Sequence, residues 1–198
     1  MKIFIATLII ISFSSKLYSQ ANCFENCWRS FDKSNVPIHE IINQNNEILK
    51  QLVGCKVPDF AVKSISGEEF SIQKLKGKII VINFWFTTCA PCITELPALN
   101  KLVDEYFKKD VVFIAFGRDD KVEILDFMKK HKFDYNQISS DYNLTKKYCV
   151  LSGWPMNLVI DREGILRYIK SGGPVAGQEK EFIPYNEMKP VIEEYINK

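Results

Sequence analysis

Two continuous apolar runs dominate the hydrophobic pattern of the chain and predict buried strands. Residues 78–86 read KIIVINFWF and residues 111–117 read VVFIAFG, both rich in β-branched and aromatic side chains. Such a run is typical of a parallel strand that is covered on both faces. Shorter runs at 156–161 and 165–170 flank the turn DREG and predict a hairpin, and the segment 55–72 predicts another hairpin with SISGE as its turn.

Apolar residues at helical spacing separate or follow these strands. The predicted helices span residues 90–108, 122–133, 141–150 and 186–197, the last with Pro190 inside it. Alternating strands and helices indicate an α/β fold, with a central mixed sheet flanked by helices. With 198 residues, 46% of them hydrophobic, the chain can form one well-buried domain, and its formal net charge of +2 gives no reason to expect a nucleic acid as partner.

The first residues predict an export signal. A short basic start is followed by an apolar run over residues 3–13, which suits a signal-peptide core and is short for a membrane span. We place cleavage after Ser19, so that residues 1–19 form the signal peptide. An uncleaved membrane anchor is the alternative, whereas a lipid on Cys23 is disfavoured because Asn22 precedes it, where a lipoprotein signal has a small residue. Export implies an oxidising compartment, where thiols tend to form disulfides.

Residues 20–53 are predicted to form a helical N-terminal extension, and residues 54–198 the main domain. In the extension, apolar residues between positions 38 and 52 recur near one helical face. Gly54 follows them and is a suitable end for this helix.

The strongest chemical signal is TTCAPCITELP, in which Cys89 and Cys92 are separated by two residues. A zinc site normally needs a second such pair or paired histidines, and the two histidines, His39 and His131, are near no other Cys-x-x-Cys. A purely structural disulfide across one helical turn would stabilise little, because the closed loop is short. A pair that follows a buried strand and opens a helix is typical of a thioredoxin-like redox site. A redox-active pair is therefore favoured over a redox-silent module with the same fold.

The predicted position of the pair explains why it would be reactive. The thiolate, and not the thiol, attacks a disulfide. Cys89 is predicted at a helix N-terminus, where unpaired backbone N–H groups and the helix dipole favour negative charge, so we expect the pKa of its thiol to be lowered. Pro91 suits the first helical turn. Cys92, one turn deeper, would resolve the mixed disulfide that forms on Cys89.

Two residues outside the pair add to this prediction. Pro155 precedes a predicted strand, and a cis peptide bond there would place the backbone of Trp154 against the thiols; an ordinary edge-strand proline is the alternative. Glu95 lies three residues after Cys92, on the same helical face. A buried Glu95 carboxyl would raise the pKa of a nearby thiol or accept its proton. An exposed one would be an ordinary solvated charge.

The segment from Gly54 to the C-terminus resembles a known family. Its G-x-x-x-P-x-F start, G-K-x-x-x-x-N-F-W strand, C-x-P-C pair and following E-x-P are similar to those of the TlpA/ResA-like thiol–disulfide oxidoreductases, a branch of the thioredoxin fold. The resemblance implies that Cys89 is the nucleophile and Cys92 the resolving thiol. It also implies that Glu95 is the active-site carboxylate and Pro155 the cis-proline.

The same resemblance implies where the protein works. Family members are exported, face the periplasm and mostly reduce protein disulfides, with cytochrome c maturation as the best-known role and a membrane reductase as electron source. Asn83 stands where thioredoxin has a buried Asp, which leaves proton handling to Glu95. The chain departs from the family at Thr88, where Trp is usual, and at Trp154, whose ring would cap the thiol pair. Trp154 and Trp85 are expected to form the wall of the active site.

The remaining four cysteines are candidates for structural disulfides. Cys23 and Cys27 are four residues apart, a spacing that brings them close on a helix and predicts a local disulfide. Cys55 and Cys149 are the other predicted pair, joining the first hairpin to the core. Cys149 as a third redox thiol is an alternative, and connectivity itself cannot be read from the sequence.

Several functions compete on this sequence. A disulfide oxidase or isomerase would use the same residues, because the reduction potential decides the direction. A peroxidase of related fold would need Thr or Ser where Phe86 stands, three residues before Cys89. A non-catalytic module would use the surface around Trp154 to hold a partner. A reductase is favoured; it requires protein disulfides as substrates and a membrane or periplasmic thiol donor, and we expect no cofactor, no metal and a monomer.

Overall fold

Strands and helices alternate along the chain largely as the apolar pattern predicts. The computed structural model describes residues 23–29, 46–140, 142–148, 150, 153–173 and 183–198. The strands are β1 (Ala61–Lys63), β2 (Glu69–Ser71), β3 (Ile79–Trp85), β4 (Val111–Gly117), β5 (Asn136–Ser139), β6 (Met156–Ile160) and β7 (Leu166–Ser171). The helices are α1 (Cys23–Arg29), α2 (Ala90–Glu105), α3 (Lys121–Met128), α4 (Tyr142–Lys147) and α5 (Ile183–Ile196).

A five-stranded mixed sheet forms the centre of the molecule, in the order β5-β4-β3-β6-β7. β3 pairs in parallel with β4 and antiparallel with β6. All seven residues of β3 are buried, and its apolar side chains alternate between two clusters, one on each face of the sheet. This explains why the sequence of β3 is continuously apolar: neither of its faces meets water.

Helices cover both faces of this sheet. Apolar residues of α2, α3 and α5 pack in one cluster with Val81 and Trp85 of β3. Apolar residues of α1 and of the β1–β2 hairpin pack in the other, with Ile82 and Phe84. The expected α/β class, mixed sheet and N-terminal hairpin are confirmed.

Strand β5 was not predicted, and α3 is shorter than predicted. The segment NQIS at 136–139 is short and has a single apolar residue, yet it pairs in parallel with β4 at the edge of the sheet. α3 ends at Met128 instead of continuing to Phe133. Asn100 accounts for this difference, because its side-chain amide donates to Lys132 O and its Oδ1 accepts from Asp134 N, which holds the segment before β5 in an extended path.

The cysteine pairs proposed from the sequence are wrong where the structure describes them. Cys23 is bonded to Cys55, with 6.2 Å between the two Cα atoms, so neither Cys23–Cys27 nor Cys55–Cys149 forms. The physical reason is tertiary packing, because Phe24 is buried against the ring of Tyr148 and places the start of α1 beside the chain that leads into β1. Cys27 is also disulfide-bonded.

The predicted signal peptide (residues 1–19), Cys149 and most of the predicted extension lie outside the described residues. Within the extension, residues 46–50 are helical, Leu49 and Leu52 are buried, and Gly54 follows with a φ of +92°. Within the described ranges, no helix has the length and apolar character needed to cross a membrane.

Candidate active site

The Cys89–Cys92 pair lies where β3 ends and α2 begins, and the two sulfurs form a disulfide. A short turn makes this connection, in which Cys89 N donates to Phe86 O at 3.1 Å. Cys89 is the N-cap of α2, and its Sγ accepts a hydrogen bond from Cys92 N at 3.3 Å. Pro91 fits the first turn because that position needs no N–H donor.

Glu95 is buried directly below the pair. Its side chain is 0% exposed, one turn after Cys92 on α2. The Oε1 atom accepts from Asn83 Nδ2 at 2.8 Å, and Asn157 Nδ2 lies 3.2 and 3.1 Å from the two carboxyl oxygens. Burial raises the pKa of Glu95 to about 8, against the lowering effect of the hydrogen bonds from Asn157 and Asn83. The carboxyl group can therefore gain or lose a proton near neutral pH.

The two asparagines that hold Glu95 come from neighbouring strands. Asn83 on β3 is the direct partner of Asn157 on antiparallel β6, and Asn83 Nδ2 also donates to Asn157 Oδ1 at 2.9 Å. Both are buried. Sequence reasoning noticed Asn83 and missed Asn157. The available signal was a lone amide inside the apolar strand MNLVI, at a position where a buried polar side chain must have a partner.

Pro155 is brought to the same place by the end of β7. The Trp154–Pro155 peptide bond is cis, as expected, and Pro155 is buried. Gly172 N donates to Pro155 O at 2.8 Å. A Cβ atom on Gly173 would lie 2.9 Å from the Pro155 ring and 3.2 Å from Pro91 O. Glycine at 173 thus allows β7, the proline and the first turn of α2 to meet.

The two tryptophans have different positions. Trp154 is half-buried, and its ring meets that of Phe86 edge-on, with 5.6 Å between centroids. Both rings pack on the cluster that contains Cys89 and Cys92. Trp85 is instead fully buried and packs against Phe127 and Phe133 in the core. Trp85 therefore lies in the core, whereas Phe86, the first residue after β3, meets Trp154 beside the pair.

Comparisons with known proteins agree with this geometry. Residues 53–169 match the model of the AhpC/TSA family. The chain belongs to this family. The thioredoxin-like protein YneN of Bacillus subtilis is 31% identical over 150 residues, which cover 74% of this chain and 80% of that protein. The thiol-disulfide oxidoreductase ResA of Bacillus thuringiensis is 28% identical over 152 residues, which cover 75% and 79%.

A comparison with solved structures shows the same fold. A structure from Chlorobium tepidum, described as a putative thiol:disulfide interchange protein DsbE, superposes with a TM-score of 0.62 at 21% identity, over 73% of this chain and 97% of that one. The expected thioredoxin-like fold and the resemblance to ResA-like proteins are confirmed, and so is the prediction of a thiol–disulfide oxidoreductase. In the described ranges no group of three or more His, Cys, Asp and Glu side chains is arranged to hold a metal ion.

Proposed function

We propose that the chain is an exported reductase of protein disulfides, with Cys89 as attacking thiol and Cys92 as resolving thiol. The observation that carries this proposal is the Cys89–Cys92 pair at the N-cap of α2, with a buried carboxyl group one turn below it. Relatives named thiol-disulfide oxidoreductase support the reaction class. The first apolar run of the sequence supports export to the periplasm.

The proposed reaction transfers two electrons from the Cys89–Cys92 dithiol to a target disulfide. The Cys89 thiolate attacks one target sulfur, forming a mixed disulfide and releasing the other target sulfur as a thiolate, which takes up a proton. The Cys92 thiol then loses its proton and attacks Cys89 Sγ. This releases the second target sulfur as a thiolate, which takes up a proton from solvent, and closes the Cys89–Cys92 disulfide. A thiol donor, in the membrane or the periplasm, must afterwards reduce the pair again.

Glu95 is proposed to take the proton that Cys92 loses. The site suits this role because the two groups lie one turn apart on α2 and water is excluded around Glu95. With its pKa raised to about 8 by burial, Glu95 holds a proton at pH 7 in the oxidised protein. It can return that proton to Cys92 when the donor reduces the pair. The cis peptide bond before Pro155 is proposed to present the backbone of half-buried Trp154 to the target beside Cys89.

The reduction potential of the Cys89–Cys92 pair tests the direction of the reaction. The purified protein is equilibrated with thiol buffers of known potential, alkylated, and analysed by peptide mass so that each cysteine is scored separately. A potential at or below about −220 mV supports a reductase, and one near about −120 mV supports an oxidase instead. The absence of a reversible transition would contradict both, and would leave a binding module without redox chemistry.

A trapping experiment tests the order of attack. In Cys92→Ser the mixed disulfide between Cys89 and the target cannot be resolved and should accumulate, as seen by non-reducing electrophoresis. Cys89→Ser should trap none. Equal trapping by both variants would contradict the assignment of Cys89 as the attacking thiol.

A further inference from the structure

Three side chains form a surface patch beside Cys89, here called the aromatic–arginine ledge: Phe86, Arg118 and Trp154. Phe86 follows β3, Arg118 follows β4, and Trp154 precedes Pro155. The guanidinium carbon of Arg118 lies 4.2 Å from the ring centroid of Phe86 and 6.0 Å from that of Trp154. The position of Arg118 is set by the sheet, since its backbone N donates to Trp85 O at 3.0 Å.

The carboxylates next to Arg118 in the sequence are engaged elsewhere and do not pair with its guanidinium. Asp119 Oδ2 accepts from Thr87 N, and Asp120 Oδ1 accepts from two backbone N–H groups as the N-cap of α3. Lys121 Nζ donates to Ile65 O. The exposed Arg118 guanidinium has, among the described residues, neither an ion pair nor a hydrogen bond, and its contacts are the two ring faces. Stacking on a ring leaves the edge N–H groups of a guanidinium available to a carboxylate.

A target must cover this ledge to reach the reactive sulfur. Cys89 is only 3% exposed, and Phe86 and Trp154 pack on the cluster that contains it. The peptide around the attacked disulfide must therefore lie across these two rings, which places its side chains within reach of Arg118.

Resting on the proposed reductase function, we propose that Arg118 determines substrate specificity by binding a carboxylate side chain of the target next to the attacked cysteine. Phe86 holds the guanidinium in place and, with Trp154, contacts the apolar part of the same segment. Arg118 does not touch the reacting sulfurs, so it acts on substrate capture and not on the chemical step. A charge-assisted, bidentate contact at a partly desolvated edge is expected to change the second-order rate constant by about tenfold.

Two disulfide peptides that differ at one position provide the test. Both are blocked at their termini and otherwise uncharged, and they carry Glu or Gln next to the attacked cysteine. The pre-reduced full-length protein is mixed with each peptide, and the second-order rate constant of one turnover is measured at low and high salt. Wild type should prefer the Glu peptide about tenfold at low salt and less at high salt.

Variants of the ledge assign that preference to Arg118. Arg118→Gln should react with both peptides at the wild-type rate for the Gln peptide, and Arg118→Lys should keep part of the preference. Lys108→Gln is the matched control, because it removes one exposed positive charge beyond the far end of α2, about 24 Å along the helix. This control should keep the full preference.

The outcomes separate the two proposals. Equal rates for the two peptides with wild type, or an unchanged preference in Arg118→Gln, would overturn the role of Arg118 while leaving the reductase function intact. No turnover of either peptide by the reduced wild-type protein would overturn the reductase function, and the inference about Arg118 with it.

Discussion

Replacing Glu95 with Gln removes the ionisable group that lies buried below the redox pair. The expected result is a change in how the stability of the oxidised protein depends on pH. Burial raises the pKa of Glu95 from 4.5 to about 8 in the folded state. The unfolded chain therefore releases this proton at a lower pH than the folded chain does, and the free energy of unfolding falls as pH rises between these two values.

The size of this effect follows from the shift in pKa. One pKa unit corresponds to about 1.4 kcal/mol, so Glu95 lowers the free energy of unfolding by about 1.4 kcal/mol for each pH unit between 4.5 and about 8. Over the whole interval the loss is roughly 5 kcal/mol. Gln at this position cannot ionise.

Urea unfolding of the oxidised proteins between pH 5 and pH 9 measures the effect. The difference between Glu95→Gln and wild type should grow in favour of the variant up to about pH 8 and then stay constant. Glu68→Gln, at an exposed position of the hairpin turn, controls for the loss of one carboxylate. If the curves of wild type and Glu95→Gln stay parallel across this range, the reasoning about the buried carboxyl group is wrong.

Three further predictions concern the surroundings of the site. Asn157→Leu removes a hydrogen bond that lowers the pKa of Glu95, so the pH-dependent loss of stability should extend to higher pH; an unchanged profile would contradict this role. Gly173→Ala forces a Cβ atom to within 2.9 Å of the cis-proline ring, which should lower the free energy of unfolding by about 1–3 kcal/mol. A melting temperature equal to that of wild type would contradict this. Replacing both Cys23 and Cys55 with Ala should lower the free energy of unfolding by about 3 kcal/mol, because the long loop that this disulfide closes is released. The reduction potential of the Cys89–Cys92 pair should stay the same. A shifted potential would show that the Cys23–Cys55 disulfide takes part in the redox reaction.

The predictable parts of the fold are those in which a run of consecutive apolar residues indicates burial. β3 and β4 are covered on both faces, so their sequences are almost continuously apolar and can be recognised as buried strands. β5 is an edge strand of four residues that pairs with β4, and Asn100 of α2 holds the segment that leads into it. Local sequence carries no record of such a long-range contact, and for the same reason the Cys23–Cys55 bond was missed.

The residues of the candidate site also fall into those that local sequence predicts and those that depend on long-range pairing. Cys89, Cys92 and Glu95 lie within seven consecutive residues, so their relative positions follow from helical spacing alone. Asn157 and Arg118 reach the site only through the register of the sheet, which sets Asn157 opposite Asn83 and places Arg118 beside the end of β3.

The strand amides also explain why a carboxyl group is tolerated in so apolar a place. A buried ionised carboxylate without partners would be very unfavourable, whereas one that accepts hydrogen bonds from two amides can exist in both protonation states. Asn83 and Asn157 supply neutral donors, which lower the pKa of Glu95 less than a positive charge would. A cation at either position would keep the carboxylate ionised at neutral pH, and an apolar side chain in place of either asparagine would keep it protonated. The paired asparagines therefore hold the pKa of Glu95 in the range that the proposed exchange of a proton with Cys92 requires.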